Sequence, residues 1–491
     1  MKTTNKMKSF FALSVVLCSA VIALLASQAW AQQIPQSPPP RHPARDLPMP
    51  AGLYDLDYAV RVEGADAASI ILKKGFIARA DGKINVEIIN QKGSEHVDPA
   101  LITRFGGEVD ATWHNRVSAW IPPDQLIAIA RGLPAGFYME DVCAGGLDDE
   151  GPGVIGSDAY RDAGADGSGR KIAVIDSGFD SLLQAQNAGA APLTFGDTVD
   201  FAGGGIISGS RHGCGCLEMV YDHAPGATYY LYRVNGGNIT HLGNAVDSAI
   251  AKGVNIITLS QSYYNQGWED NSGGACDAAA AATAAGMLFF TSAGNRAKDH
   301  WQGDLSPTVT GWHKWAASGD VTIDIVMDSG DTDNFRLSWD TSGDVYDYNL
   351  YLYNSALDSV LASDVESGNN FEEFSWTNNI GDDLTVMLMV WRARGGITEI
   401  EVFESKSGVW QEEHRVSEGS TTSPSNSTEP NCISVGAVDW DVFTSPPGTD
   451  NIIKSYSSQG PTNEGATRPK LCGPTDCTSV SYPSGFTGTS A

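Results

Sequence analysis

Four polar side chains in this sequence have the types that acyl transfer needs. Asp176 closes the apolar run "AVIDSG", His212 opens "HGCGCLEMVYD", Asn295 closes "FFTSAGN" and Ser490 stands in "FTGTSA". A carboxylate just past a buried strand can orient a base, and in open α/β sheets sites form beyond the carboxyl ends of the strands. A histidine at a helix start, beside a glycine that permits close approach, can serve as general base. An amide past a strand can donate to an oxyanion, and a serine hydroxyl can attack a carbonyl. Taken singly, each has a plainer reading. Asp176 and Asn295 read as turn residues. His212 reads as a structural or solvated imidazole, as His223 and His241 do, and Gly-Thr-Ser-Ala reads as a polar tail.

Together the four are more specific, because they occur in the chain order Asp, His, Asn, Ser. In that order "AVIDSG", "HG…APGA", "SAGN" and "GTSA" resemble the signature segments of the subtilisin-like serine peptidases. "CISVGAVD" and "YSSQGP" also resemble strand and loop segments of that family. The resemblance covers residues 154–295 and 431–491. It implies that Asp176 holds the imidazole tautomer and that His212 takes the proton of Ser490 and returns it to the leaving amine. It also implies that the Asn295 amide and the Ser490 backbone N–H bind the oxyanion. "LSQS" is similar to the family segment that pairs with substrate as an added strand, which implies a cleft lined by Ser260, Gln261 and Ser262. Ser262 stands where glycine is usual. "HGCGC" departs from the family's His-Gly-Thr-His, with Cys214 for threonine and Gly215 for the second histidine.

The elements that must position these groups are legible around them. "KIAVIDSG" is a near-continuous apolar strand, as in a sheet buried on both faces. "HLGNAVDSAIAKG" reads as a helix leading into the strand "VNIITLS". "CDAAAAATAAG" reads as a helix leading into "MLFFTSAGN". This alternation predicts an α/β fold with a parallel sheet and right-handed crossovers. The resemblance implies that this is a subtilisin-like catalytic domain.

Two units of other character flank or interrupt it. "KINVEII" alternates as a half-buried strand does, "DPALITRFGG" reads as a short helix, and "VSAWIP" as a strand. Asp124 is placed to cap "QLIAIARG", and "AGFYMED" closes the sheet. This is the pattern of a ferredoxin-like α+β unit, which resembles the family's propeptide, a folding aid and inhibitor. "CAGGLDDEGPGVIGSD" marks an exposed boundary. From about Trp301, "NFRLSWD", "YNLYLYN", "DLTVMLMVW" and "IEVFES" are strand-like with no helical period between them, so an inserted β-sandwich is expected. Alternate members of "YNLYLYN" should build its core. The expected divisions are a signal peptide (1–31), a Pro-rich exposed linker (32–52), a propeptide (53–145), the first catalytic part (146–300), the inserted β-sandwich (301–420) and the second catalytic part (421–491).

Lys2, Lys6 and Lys8 precede an apolar run and an Ala-x-Ala site at Ala29 and Ala31, the order of a secretory signal. Secretion is expected, with no membrane attachment after cleavage. Acidic residues outnumber basic ones 59 to 31, a field that repels polyanions and excludes nucleic acid as a natural partner. Protein or peptide substrates, and the chain's own propeptide as inhibitor, are the expected partners. The chemistry requires no cofactor. The acid runs "DSGDTDN" and "DTSGDVYD" are candidate ligands for a structural calcium ion, and solvated turns are the simpler reading. Seven cysteines follow the signal. Cys472 and Cys477 could close a local loop, and a disulfide could brace the helix after His212. In the family the serine begins a long buried helix. Only Ala491 follows Ser490, so the expectation is a fragment of a longer peptidase, inactive or unstable alone. The competing expectation is a catalytically decayed secreted binding protein that uses the β insertion.

Overall fold

The computed structural model describes residues 47–62, 64, 67–68, 71, 76, 78–79, 81–141, 157, 164–341, 346–365, 369–405, 408–411, 414–439, 452–482 and 485–489. The signal peptide, most of the Pro-rich segment and the boundary at 142–156 lie outside the described residues, as does Ser490.

The N-terminal unit comprises α1 (Ala51–Arg61), β1 (Ile84–Asn90), α2 (Pro99–Arg104), β2 (Glu108–Trp113), β3 (Arg116–Ile121), α3 (Leu126–Gly132) and β4 (Phe137–Asp141). Its strands form one antiparallel sheet in the order β2-β3-β1-β4. A βαββαβ chain gives that order when both helices pack on one face. Three expectations are corrected here. β1 is buried along its whole length, not half-buried, because its polar residues Asn85 and Glu87 face a neighbouring unit. Asp124 does not cap α3, which has no side-chain cap; instead the Asp57 carboxylate of α1 accepts the Ile127 N–H at 3.0 Å. The exposed segment ends before residue 52, since Met49 is fully buried and α1 already begins at Ala51.

The central unit comprises β5 (Lys171–Asp176), α4 (Leu182–Asn187), β6 (Asp197–Asp200), α5 (His212–His223), β7 (Thr228–Arg233), α6 (Ile239–Lys252), β8 (Ile256–Leu259), α7 (Gly274–Ala284) and β9 (Leu288–Ser292). The chain returns to this sheet after the next unit with β19 (Cys432–Asp439) and β20 (Leu471–Thr475). These strands form a seven-stranded sheet in the order β20-β19-β9-β8-β5-β7-β6, parallel throughout. The strand order reverses at β5, which puts a crevice at the carboxyl ends of β5 and β8. Alternation along β5 explains its apolar run. Ala173 and Ile175 face α6 and α7, whereas Ile172 and Val174 face α4 and α5. Helix α6 is held by an Asn238 cap whose Oδ1 accepts the His241 N–H at 2.9 Å, and it ends at Gly253 in the left-handed conformation (φ 62°).

The third unit comprises β10 (His300–Asp304), β11 (Ile323–Met327), β12 (Thr332–Trp339), β13 (Asp347–Asn354), β14 (Val360–Asp364), β15 (Phe371–Thr377), β16 (Leu384–Arg394), β17 (Glu399–Glu404) and β18 (Val409–Trp410). These form two antiparallel sheets, β10-β17-β12-β15 and β14-β13-β16-β11-β18. Phe335, Leu337 and Val402 of the first and Leu350, Val386 and Leu388 of the second share one core. Along β13 both faces are buried, not alternate residues alone. Tyr348, Leu350 and Leu352 enter that core, while Tyr351 and Tyr353 pack edge-on against Trp312.

The N-terminal sheet sits on the start of α6. Glu87 accepts the Thr240 N–H at 2.6 Å and pairs with Arg116 at 2.9 Å. Asn238 donates to Asn85 at 2.6 Å and to Ser118 at 3.0 Å. His241 is buried and bonds Asp110, a structural role. Trp113 of β2 joins the core beneath α6. No helix among the described residues is long and apolar enough to cross a membrane.

Candidate active site

Asp176 is the last residue of β5, and neither it nor His212 is more than 1% exposed. Its Oδ1 accepts the Ser177 N–H at 2.7 Å, and its Oδ2 faces His212 Nδ1 at 2.8 Å. An ionised carboxylate only accepts, so the proton lies on Nδ1 and the lone pair on Nε2. His212 opens α5, with its backbone N–H on Ser210 Oγ at 2.9 Å. The His-Gly-Cys-Gly spacing has steric causes. A Cβ at Gly213 would lie 2.6 Å from the Gly178 carbonyl and 2.7 Å from Asp176 Cβ. At Gly215 it would lie 2.3 Å from the Phe486 ring, which packs edge-on to the His212 imidazole with ring centroids 5.5 Å apart. Gly215 thus stands where the ring of a residue far along the chain must fit.

Asn295 follows β9, at the same edge of the sheet as Asp176 because the strands are parallel. Its Oδ1 accepts the Thr489 N–H at 3.0 Å, and Thr489 Oγ1 accepts the Gly294 N–H at 3.1 Å. These two bonds set the amide so that Nδ2 is its donor end, and they pin the residue that precedes Ser490. Ser490 itself lies outside the described residues. Ser260, just past β8, lines a cavity of about 350 Å³ together with Cys216, Ser292 and Thr489. Gln261 is buried and accepts the Tyr263 hydroxyl at 2.8 Å. Ser262 lines a different, smaller cavity beside Glu87 and Glu140 of the N-terminal sheet. Asp176, His212, Asn295, Ser260 and Thr489 therefore gather at one edge of the sheet, and Ser262 turns toward the unit packed there.

Several residues that serve this edge escape a local reading of the sequence. Glu218, two turns along α5 from His212, accepts the N–H groups of Val480 (2.7 Å) and Ser481 (3.2 Å) and so ties the chain before Phe486 to that helix. Burial holds its carboxyl above the usual range. Arg211 lies over the Tyr482 ring, which stacks on Phe486. Cys216 places its sulfur 3.5 Å from Asp176 Oδ2 and 3.7 Å from His212 Nδ1. Its spacing of four from His212 on a helix was a readable signal that the two share a face. The six described cysteines are free thiols, so Cys472 and Cys477 do not close a loop and no disulfide braces α5. Burial pushes the Cys214 thiol up to about 12.

No protein-family profile matches the chain, and no curated protein matches it. Among solved structures the chain is similar to the CspB protease of Clostridium perfringens, at 12% identity and a TM-score of 0.42, covering 68% of this chain and 82% of that one. It is similar to MycP1 with its N-terminal propeptide removed, at 14% identity and a TM-score of 0.30, covering 68% and 78%. It is also similar to fervidolysin of Fervidobacterium pennivorans, a keratinolytic enzyme related to subtilisin, at 15% identity and a TM-score of 0.26, covering 62% and 55%.

Proposed function

We propose that the protein is a secreted serine endopeptidase, made as a zymogen, that hydrolyses protein or peptide substrates through Asp176, His212 and Ser490. The observation that carries this reading is the buried Asp176–His212 pair, Oδ2 against Nδ1 at 2.8 Å, beside the turn at Thr489 that Asn295 holds. His212 Nε2 takes the hydroxyl proton as Ser490 Oγ attacks the scissile carbonyl. Asp176 stabilises the imidazolium that forms, and the proton passes to the leaving amine. Water then repeats the sequence on the acyl-enzyme and releases the acid. The negative oxygen of each tetrahedral intermediate rests on Asn295 Nδ2 and the Ser490 N–H. No step calls on a cofactor.

In this reading residues 53–145 form a ferredoxin-like propeptide that inhibits its own enzyme. The seating of Glu87, Arg116 and Asn85 on α6 and its approaches supports that role. Residues 301–420 form a β-sandwich inserted between the two catalytic parts. Residues 1–31 direct export, which places the mature enzyme outside the cytoplasm.

The test is hydrolysis of labelled casein by the protein that contains these 491 residues, after removal of the N-terminal unit. Ser490→Ala is expected to lower kcat by about 10⁶-fold. Equal cleavage by wild type and variant, or none by wild type, would contradict the proposal.

A further inference from the structure

We infer that Tyr264 is a positioning residue for Asn295, and that the third unit reaches the reaction through it. The inference rests on the peptidase reading, in which Asn295 Nδ2 donates to the oxyanion. Strands β8 and β9 are parallel neighbours, so the segments that follow them leave the sheet side by side. Tyr264 stands two residues beyond Ser262 on the first segment, and Arg296 stands one residue beyond Asn295 on the second. The Arg296 Nε–H donates to the Tyr264 hydroxyl at 3.0 Å, and both residues are more than nine-tenths buried. One bond therefore ties the two segments that would flank the scissile peptide. Its loss is costly, because a buried guanidinium N–H deprived of its acceptor has no water to turn to.

The hydroxyl holds Arg296 only if its ring is held, and the third unit supplies the clamp. The Arg336 guanidinium of β12 lies over the Tyr264 ring, 4.5 Å from its centroid, and Phe403 of β17 meets that ring edge-on at 5.4 Å. Arg336 is itself fixed, with Nε on Glu373 of β15 at 3.2 Å and Nη1 on Ser405 Oγ at 2.7 Å. Ser458 restrains the other side of the Asn295 turn. Its Oγ accepts the Arg296 N–H at 2.9 Å, and its own N–H donates to the Gly294 carbonyl at 2.8 Å. Ser458 thus holds the backbone of the turn, whereas Tyr264 sets the spacing between the turn and the segment from Ser260 to Ser262. That spacing matters most in the transition state, when the carbonyl oxygen moves onto Nδ2 while the substrate stays on the Ser260 segment.

Tyr264→Phe, made in the protein that contains these 491 residues, keeps the ring and deletes the acceptor. In peptide hydrolysis after removal of the N-terminal unit, kcat should fall by about tenfold with KM changed by less than about twofold. A residue that acts through Asn295 has nothing left to act on once the donor is gone. Placed on Asn295→Asp, Tyr264→Phe should therefore change kcat by less than about twofold. Arg336→Met, in another unit, should lower kcat in the same direction. A second readout needs no activity. The Thr489 N–H, held by Asn295 Oδ1, should exchange with deuterium faster in both Tyr264→Phe and Arg336→Met. The same loss of kcat repeated on Asn295→Asp, or unchanged exchange at Thr489 in Tyr264→Phe, would overturn the positioning role. If the wild type hydrolyses nothing while exchange at Thr489 quickens as described, the peptidase reading fails and the link from Tyr264 to Asn295 stands.

Discussion

Asp176 divides its two carboxylate oxygens between a backbone N–H and an imidazole N–H, and that division sets which nitrogen of His212 is basic. Asp176→Asn keeps the shape but offers an amide in place of the acceptor, so the imidazole turns its lone pair the wrong way. The expected outcome is a fall of about 10⁴-fold in kcat with KM little changed, measured by steady-state peptide hydrolysis. Asn295 performs two tasks that one substitution separates. Asn295→Asp keeps an acceptor for the Thr489 N–H and removes the donor, so kcat should fall by about 10²–10³-fold while the fold holds. Activity within about twofold of wild type would show that Nδ2 donates to nothing in the transition state. At this scale the sequence was informative because Asp, His and Asn each mark the end or start of an apolar run. Glu218 and Phe486 were not legible: their contacts join positions 263 (Glu218 with Ser481) and 274 (His212 with Phe486) apart, and no local pattern reports such a distance.

The helix α6 shows how an element can be shaped by a unit that precedes it in the chain. Gly243 lies midway along it, where an added Cβ would sit 2.0 Å from the Trp113 indole. Gly243→Ala has opposite effects on the two partners. It should favour the helix by about 1 kcal/mol and force the N-terminal sheet away at a cost of about 1–3 kcal/mol. The expected readout is faster amide exchange across β1 and β3 with α6 itself better protected. Exchange slowed in both would contradict the close packing. Glu87→Ala should act more strongly, since it leaves Arg116 buried without its nearest carboxylate and removes the acceptor for Thr240. Loss of one partner from such a pair costs about 3–5 kcal/mol, measurable as a lower urea midpoint for the N-terminal unit. The helices and strands were largely readable from apolar period and glycine ends, as at Gly253 after α6. The polar residues of β1 carried the missed signal: Asn85 and Glu87 lie in an apolar strand because they face another unit, not solvent.

At the scale of the whole molecule, Glu140 of the N-terminal sheet feels charges of its own unit and of the third unit. Burial pushes Glu140 of β4 up to about 8, with Arg116 at 3.7 Å opposing the shift and Glu87 and Glu373 adding to it. A carboxyl raised in the folded state binds more protons there than when unfolded. Stability therefore falls as pH rises from the ordinary glutamate range toward 8, by up to about 1.4 kcal/mol per unit. Urea midpoints at successive pH values should show this decline, and Glu140→Gln should flatten it. An equal slope in the variant would contradict the assignment. The division into βαββαβ, parallel and antiparallel parts was visible in the sequence as changes of period. The way the parts seat on each other was not, because it depends on residues such as Arg116, which bonds Gln266 at a separation of 150. The central claim, that Asp176, His212, Asn295 and Ser490 serve one reaction, is tested most directly by mapping a fluorophosphonate adduct with tandem mass spectrometry. The expected result is a single adduct on Ser490 that disappears in His212→Ala; an adduct on another residue, or one on Ser490 that forms as fast without His212, would contradict it.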